Sequence, residues 1–175
     1  MERAELIKAL STVTLCEGLS EEEVGTLADA GKVEEAYMDT ALMEEGAISD
    51  SLIIVLDGEV EVFKDDDSGE ETQLATVGTG AILGEVGLLE SVPRTATAKA
   101  ISPVRLYRLE RAEFDALCRS GNPAALGLAL AVARSLALRL KQMNEKVMDL
   151  LETPAMRGPN LSSVRSELAG EWSLY

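Results

Sequence analysis

The stretch SLIIVLDGEVEVF, Ser51 to Phe63, constrains the fold more than any other part of this chain. An apolar run reaches Asp57-Gly58, and beyond it Val60 and Val62 alternate with Glu59 and Glu61. Alternation of period two puts successive side chains on opposite faces of a strand. An Asp-Gly pair between two such runs predicts a tight hairpin turn. The segment is β-structure with one face apolar.

The same character holds from Lys32 to about Leu109. Further short strands are predicted in VEEAY, ALMEE, QLATV, TATAKAI and VRLYRL, punctuated by Gly46, Gly58, Gly69, Gly78 and Gly80. Regularly spaced short strands with glycine corners read as a β-barrel or jelly roll. The acidic DDDSGEE, Asp65 to Glu71, is expected as a solvated hairpin tip, because it lacks the ligand pattern of a calcium loop.

Helical spacing flanks this region on both sides. Leu6, Ile7 and Leu10 recur at helical intervals, and Ser20 with Glu23 makes a capping box for a second helix that Gly31 is expected to end. After the strands, RAEFDALCRS reads as a helix, and a long one runs from Pro123 to about Leu151 with Asn122 as its cap. Along it Leu126, Leu130, Ala133, Leu136, Leu140, Met143, Val147 and Leu150 form a seam too long for a small barrel to cover. That length favours a two-helix dimer interface over packing on the chain's own barrel. Thr153-Pro154 stops the helix, and the residues after it are expected to be a mobile tail with one amphipathic turn through Leu161, Val164 and Leu168. The expected organisation is therefore a helical segment at 1–31, a β-barrel at 32–109, helices at 110–151 and a flexible tail at 152–175. The fold class is mainly β, a jelly-roll β-barrel with N-terminal helices and a long C-terminal helix.

Composition excludes several functions. With 31 acidic against 16 basic residues, the net charge of -15 repels a polyanion, and aromatic side chains for base stacking are few. No histidine is present, which removes imidazole acid/base catalysis and histidine-held metals, and with them a cupin-type barrel enzyme. Cys16 and Cys118 match no metal-ligand spacing and read as reduced core thiols. No window approaches the roughly 18 apolar residues of a membrane span, and no leader is evident, so a cytoplasmic protein without membrane contact is expected.

Against that acidic background, GEVGLLESVPRTAT, Gly84 to Thr97, sets Arg94 directly after a proline. EVGLL is long enough for a short helix whose first N–H groups are an anion site, and Gly87 keeps a Cβ out of the way. Arg94 supplies a two-pronged donor, and Thr95 and Thr97 supply hydroxyls. Glu85 suits hydrogen bonds from the hydroxyls of a sugar, or a pairing with Arg94. From spacing alone, a structural Glu85–Arg94 ion pair and a phosphate site are equally good readings.

GEVGLLESVPRTATAKA closely resembles the phosphate-binding cassette of cyclic nucleotide-binding domains, the family of catabolite activators, protein kinase regulatory subunits and cyclic nucleotide-gated channels. Linked motifs extend the resemblance over roughly Leu15 to Leu151. LCEGLSEEEVGTLA is similar to the family's opening helix, EEGAISDSLIIVLDGEVEVF to its glycine-marked hairpin with Gly46, Asp50 and Gly58, and LATVGTGAILGE to the approach to the cassette. ALAVARSLALRLKQMNEKVMDLL resembles the long helix that dimerises in bacterial regulators. The resemblance implies a site at 84–97 formed by Gly84, Glu85, Val86, Gly87, Arg94, Thr95 and Ala96. In it Glu85 accepts from the ribose 2′-hydroxyl, Arg94 pairs with the cyclic phosphate, and backbone N–H groups near Gly87, Thr95 and Ala96 complete the cradle. Asn144 falls at a base-contacting position of the long helix. Thr95 stands where the hydroxyl bears on the choice between cAMP and cGMP. Met143 and Leu83 depart from the family pattern.

The function expected is a non-enzymatic sensor that takes cAMP or cGMP as regulatory ligand, needs no metal, and relays binding through its C-terminal helix to an unknown downstream protein. A homodimer through that helix is expected. Only 24 residues follow Leu151, where catabolite activators carry a DNA-reading helix-turn-helix, so a stand-alone domain without direct nucleic-acid contact is expected. The alternative is a ligand-independent dimerisation or scaffold module of the same fold.

Overall fold

Two four-stranded antiparallel sheets carry the fold. The computed structural model describes residues 1–48, 50–65 and 71–152, with side chains as far as 149. Helices α1 (Arg3–Ser11) and α2 (Glu21–Ala30) precede strands β1 (Lys32–Ala36), β2 (Ala41–Met43), β3 (Ser51–Asp57), β4 (Val60–Asp65), β5 (Glu71–Val77) and β6 (Ile82–Leu83). A single-turn helix α3 (Val86–Leu89) leads to β7 (Thr97–Ala100), β8 (Val104–Glu110), α4 (Arg111–Arg119) and α5 (Pro123–Glu152). The sheet orders are β1-β8-β3-β6 and β2-β7-β4-β5. This is the expected jelly-roll barrel with N-terminal helices and a long C-terminal helix.

The inward positions of both sheets meet in one aliphatic core. Ala36, Ile53, Val55, Leu83, Val104 and Leu106 face it from one sheet, and Leu42, Val60, Ala98 and Ala100 from the other. Small residues on the second sheet let the layers approach closely, so the barrel closes with few aromatics.

The segment that predicted a hairpin does something else. β3 and β4 do not pair with each other, because they belong to different sheets, β3 between β8 and β6 and β4 between β7 and β5. Asp57-Gly58 is thus a corner that carries the chain across the core, with Gly58 at φ +94°. A Cβ at Gly58 would lie 2.4 Å from the Pro103 carbonyl oxygen, so the position is closed to side chains on two counts. Local alternation encodes which face is buried, and leaves the choice of partner strand to long-range packing. A hairpin does join β4 to β5, which pair from Val60↔Val77 to Asp65↔Glu71. Its acidic tip, residues 66–70, lies outside the described residues.

The helix signals hold in detail. Ser20 and Glu23 make the reciprocal capping box of α2, and Asn122 Oδ1 accepts from the Ala124 N–H at 3.0 Å to cap α5. Gly31 ends α2, but with extended backbone rather than a left-handed turn. Glycine is needed there because a Cβ would lie 2.3 Å from the Tyr107 ring, whose hydroxyl donates to the Leu27 carbonyl. Cys16 is buried as expected, whereas Cys118 is exposed, on the solvent side of α4.

Two compact units divide the chain, Met1–Val132 and Ala133–Tyr175. In the first, Ala124, Ala125, Leu128 and Val132 of α5 are buried, while the seam residues Leu126 and Leu130 are 65% and 47% exposed. In the second, Leu140, Met143 and Val147 continue the seam and are exposed. Leu150 and the tail, with Leu161, Val164 and Leu168, lie outside the described side chains. Between Pro123 and Asp149 an 18-residue stretch of mean hydropathy 1.4 is long and apolar enough, by length and composition, to cross a membrane. That corrects the expectation drawn from contiguous apolar runs: Arg134 and Arg139 interrupt such a run, yet alanines and leucines on two helix faces keep the mean high.

Candidate functional site

The site forms where β6 gives way to α3. Gly84 turns the chain with φ +71°, Glu85 takes the N-cap position of α3, and Val86 is partly exposed beside it. Gly87 is buried, and its N–H donates to the Gly84 carbonyl at 3.0 Å. That N–H is therefore committed within the turn. The N–H groups of Thr95 and Ala96 have no protein acceptor among the described residues.

Arg94 is fixed at its backbone by the loop after β2. Its N–H donates to the Ala47 carbonyl at 2.8 Å, its carbonyl accepts from Gly46 N–H at 2.9 Å, and Ile48 bridges Pro93. Its guanidinium points inward. Nη2 donates to the Ser51 carbonyl (2.8 Å) and to Ser51 Oγ (3.0 Å), and Nη1 donates to the Gly84 carbonyl (3.3 Å). A Cβ at Gly84 would sit 1.7 Å from Nη1, so the glycine makes room for the cation.

Arg94 is 7% exposed and Glu85 is 4% exposed, an opposite pair of charges held away from water. Burial lowers the Arg94 pKa; the charges of Asp50, Glu110 and Glu85 oppose that shift and the charge of Arg108 adds to it. Guanidinium starts so far above neutrality that it stays charged, and a buried cation seeks anions strongly. The arrangement can hold a singly charged anion at Arg94 while Glu85 accepts hydrogen bonds from hydroxyls on the same molecule. Among the described residues no group of three or more His, Cys, Asp or Glu side chains is placed to hold a metal.

The structure brings Gly84, Glu85, Val86, Gly87, Arg94, Thr95 and Ala96 together in the first unit. Thr95 is exposed and Ala96 is buried. Thr97 serves the scaffold: its Oγ1 accepts from Glu45 N–H at 3.0 Å. Asn144 belongs to the second unit, half-buried along a groove with Ala137, Leu140, Lys141 and Met148.

Sequence reasoning missed Ser51 and Arg108. Arg108 donates to Ser51 Oγ at 3.2 Å and, through Nε, to Glu34 at 3.0 Å. A signal existed. Arg108 shares the alternation face of the core residues Val104 and Leu106, and Ser51 that of Ile53 and Val55. Polar residues on an inward face demand partners.

Known proteins resemble this chain in sequence and in fold. Residues 34–120 match the sequence profile described as "Cyclic nucleotide-binding domain". The chain is 35% identical over 92 residues to a cyclic AMP receptor protein of Thermus thermophilus, covering 53% of this chain and 43% of that protein. It is 33% identical over 114 residues to a cGMP-dependent protein kinase, isozyme 1, of Drosophila melanogaster, covering 63% of this chain and 15% of the kinase. The chain thus spans less than half the length of either relative. The crystal structure of the Thermus thermophilus catabolite activator protein superposes with a TM-score of 0.70 at 30% identity, covering 79% of this chain and 62% of that one.

Proposed function

Because residues 34–120 place this chain in the cyclic nucleotide-binding domain family, we propose that it binds cAMP or cGMP at Gly84–Ala96 and acts as a regulatory sensor. One observation carries the reading: Arg94 is 7% exposed and Glu85 4% exposed within one short stretch, and the guanidinium stands at a glycine whose missing Cβ makes the room. In the bound state Arg94 pairs with the cyclic phosphate, the Thr95 and Ala96 N–H groups donate to its oxygens, and Glu85 accepts from the ribose 2′-hydroxyl. Catalysis has no part in this reading, nor does a metal.

Relay to a partner rests on α5. A nucleotide shifts that helix only as far as it binds two arrangements unequally. The exposed stripe of Leu126, Leu130, Leu140, Met143 and Val147 supports a homodimer through α5. The net charge of -15 speaks against direct contact with nucleic acid and suits a cytoplasmic protein partner.

Calorimetric titration of the chain with cAMP and cGMP side by side tests the reading. Binding of either at one site per chain is expected. Arg94→Ala should weaken it by roughly 30- to 5000-fold, the effect of removing one partner of a buried charge pair. A loss below threefold would remove Arg94 from the site. The ligand-independent scaffold remains the second reading, favoured by one observation: Arg94 Nη1 and Nη2 already donate to Gly84 and Ser51.

A further inference from the structure

Ser51 lies 1% exposed between two guanidinium groups. Its Oγ accepts from Arg94 Nη2 at 3.0 Å and from Arg108 Nη1 at 3.2 Å. A hydroxyl oxygen has two acceptor positions, so these two donors fill it. Arg108 is itself anchored elsewhere, by Nε to Glu34 (3.0 Å) and by Nη2 to the Leu42 carbonyl (3.5 Å). It approaches from the inward face of β8, and Glu34 from the inward face of β1, where it shares the side of Ala36.

This geometry has a consequence for ligand binding. Both hydrogen bonds of Arg94 Nη2 go to Ser51, one to its carbonyl and one to its Oγ. A two-pronged grip on phosphate needs two neighbouring N–H groups on one edge of the guanidinium. Arg94 must therefore release Ser51 in part when it takes an anion. Releasing Oγ alone would strand a buried acceptor unless another donor holds it, and a stranded buried group is costly.

We infer that Arg108 is a positioning residue for the nucleotide: it keeps Ser51 Oγ satisfied while Arg94 turns to the phosphate, and its positive charge favours that turn. The inference rests on the proposed nucleotide site. Arg108 does not touch the ligand. It sets how readily Arg94 leaves its resting contacts, so it tunes affinity from behind the barrel's inward face.

Titration of the full chain with cAMP and cGMP tests this on four variants. Arg108→Leu should weaken the better ligand on the order of tenfold, as expected when a buried hydrogen-bond acceptor loses its second donor. Ser51→Ala removes the shared oxygen, so its affinity should match or exceed that of the parent chain. In the Ser51→Ala background, Arg108→Leu should then add less than about twofold, the coupling expected of residues acting through one atom. Glu34→Gln breaks the ion pair but leaves the Arg108–Ser51 bond, and should stay within about twofold, whereas a merely structural ion pair would make it as harmful as Arg108→Leu. Equal losses from Arg108→Leu in both backgrounds, or from Glu34→Gln and Arg108→Leu, would overturn the inference. So would a tenfold loss in Ser51→Ala alone, which keeps the test decisive if Arg108→Leu fails to fold. If the parent chain bound neither nucleotide, the site reading would fall and this inference with it. If it bound and Arg108→Leu changed nothing, only the inference would fall.

Discussion

Replacing Gly84 by alanine probes the site without touching a charge. Two costs add. At φ +71° an L side chain is strained, which costs about 1–2 kcal/mol. The new Cβ would also lie 1.7 Å from Arg94 Nη1 and 2.9 Å from the Ser51 carbonyl oxygen. Arg94 must move, losing its bond to the Gly84 carbonyl and loosening those to Ser51. Hydrogen bonds from a charged donor contribute about 1.5–3 kcal/mol each, and partial rehydration of the displaced guanidinium returns some of that. A total of roughly 2–5 kcal/mol follows. Gly46 is the control, because its φ is +77° and nothing lies within 4 Å of its would-be Cβ. Gly46→Ala should cost only the strain, about 1–2 kcal/mol. Denaturant unfolding without ligand, compared by midpoint at constant slope, measures both. In an Arg94→Ala background, Gly84→Ala should cost roughly 1–3 kcal/mol less than in the parent chain, since the cation it strikes is gone. Gly84→Ala and Gly46→Ala agreeing within about 0.5 kcal/mol would refute the claim that glycine is there to admit Arg94.

Thr95→Ala should lower cGMP affinity more than cAMP affinity in parallel titrations; equal losses would assign the exposed hydroxyl to phosphate rather than base. Burial pushes the Cys16 thiol up to about 11. A thiol with a raised folded-state pKa binds more protons folded than unfolded between about pH 9 and 11, so stability is complete below about 9 and declines through that window. Cys16→Ala should flatten the first part of that decline in denaturant midpoints measured from pH 8 upward, and an unchanged slope would reject the thiol as its cause.

Much of this protein is local in sequence and was legible there. The capping box of Ser20 and Glu23, Asn122 before Pro123, and the period-two runs each depend on residues within a few positions of one another. The fold's elements therefore followed from spacing. Gly84 to Ala96 was legible for the same reason, as one contiguous stretch. The exposure of the α5 seam fits the length argument, while the burial of its other face through Leu128 and Val132 had no separate mark in the pattern.

What only the tertiary structure decided is who meets whom. Alternation around Asp57-Gly58 specified a buried face for β3 and for β4, but the two strands went to different sheets, because pairing is chosen by packing over the whole barrel. Gly31 is a glycine on account of Tyr107, far along the chain. Glu34, Arg108 and Ser51 sit on three strands and link in a chain to Arg94 only once the inward faces close. The sequence by itself determined the elements and marked the stretch that carries Arg94; the folded barrel determined what holds that arginine in place, since a buried cation takes its partners from whichever strands enclose it.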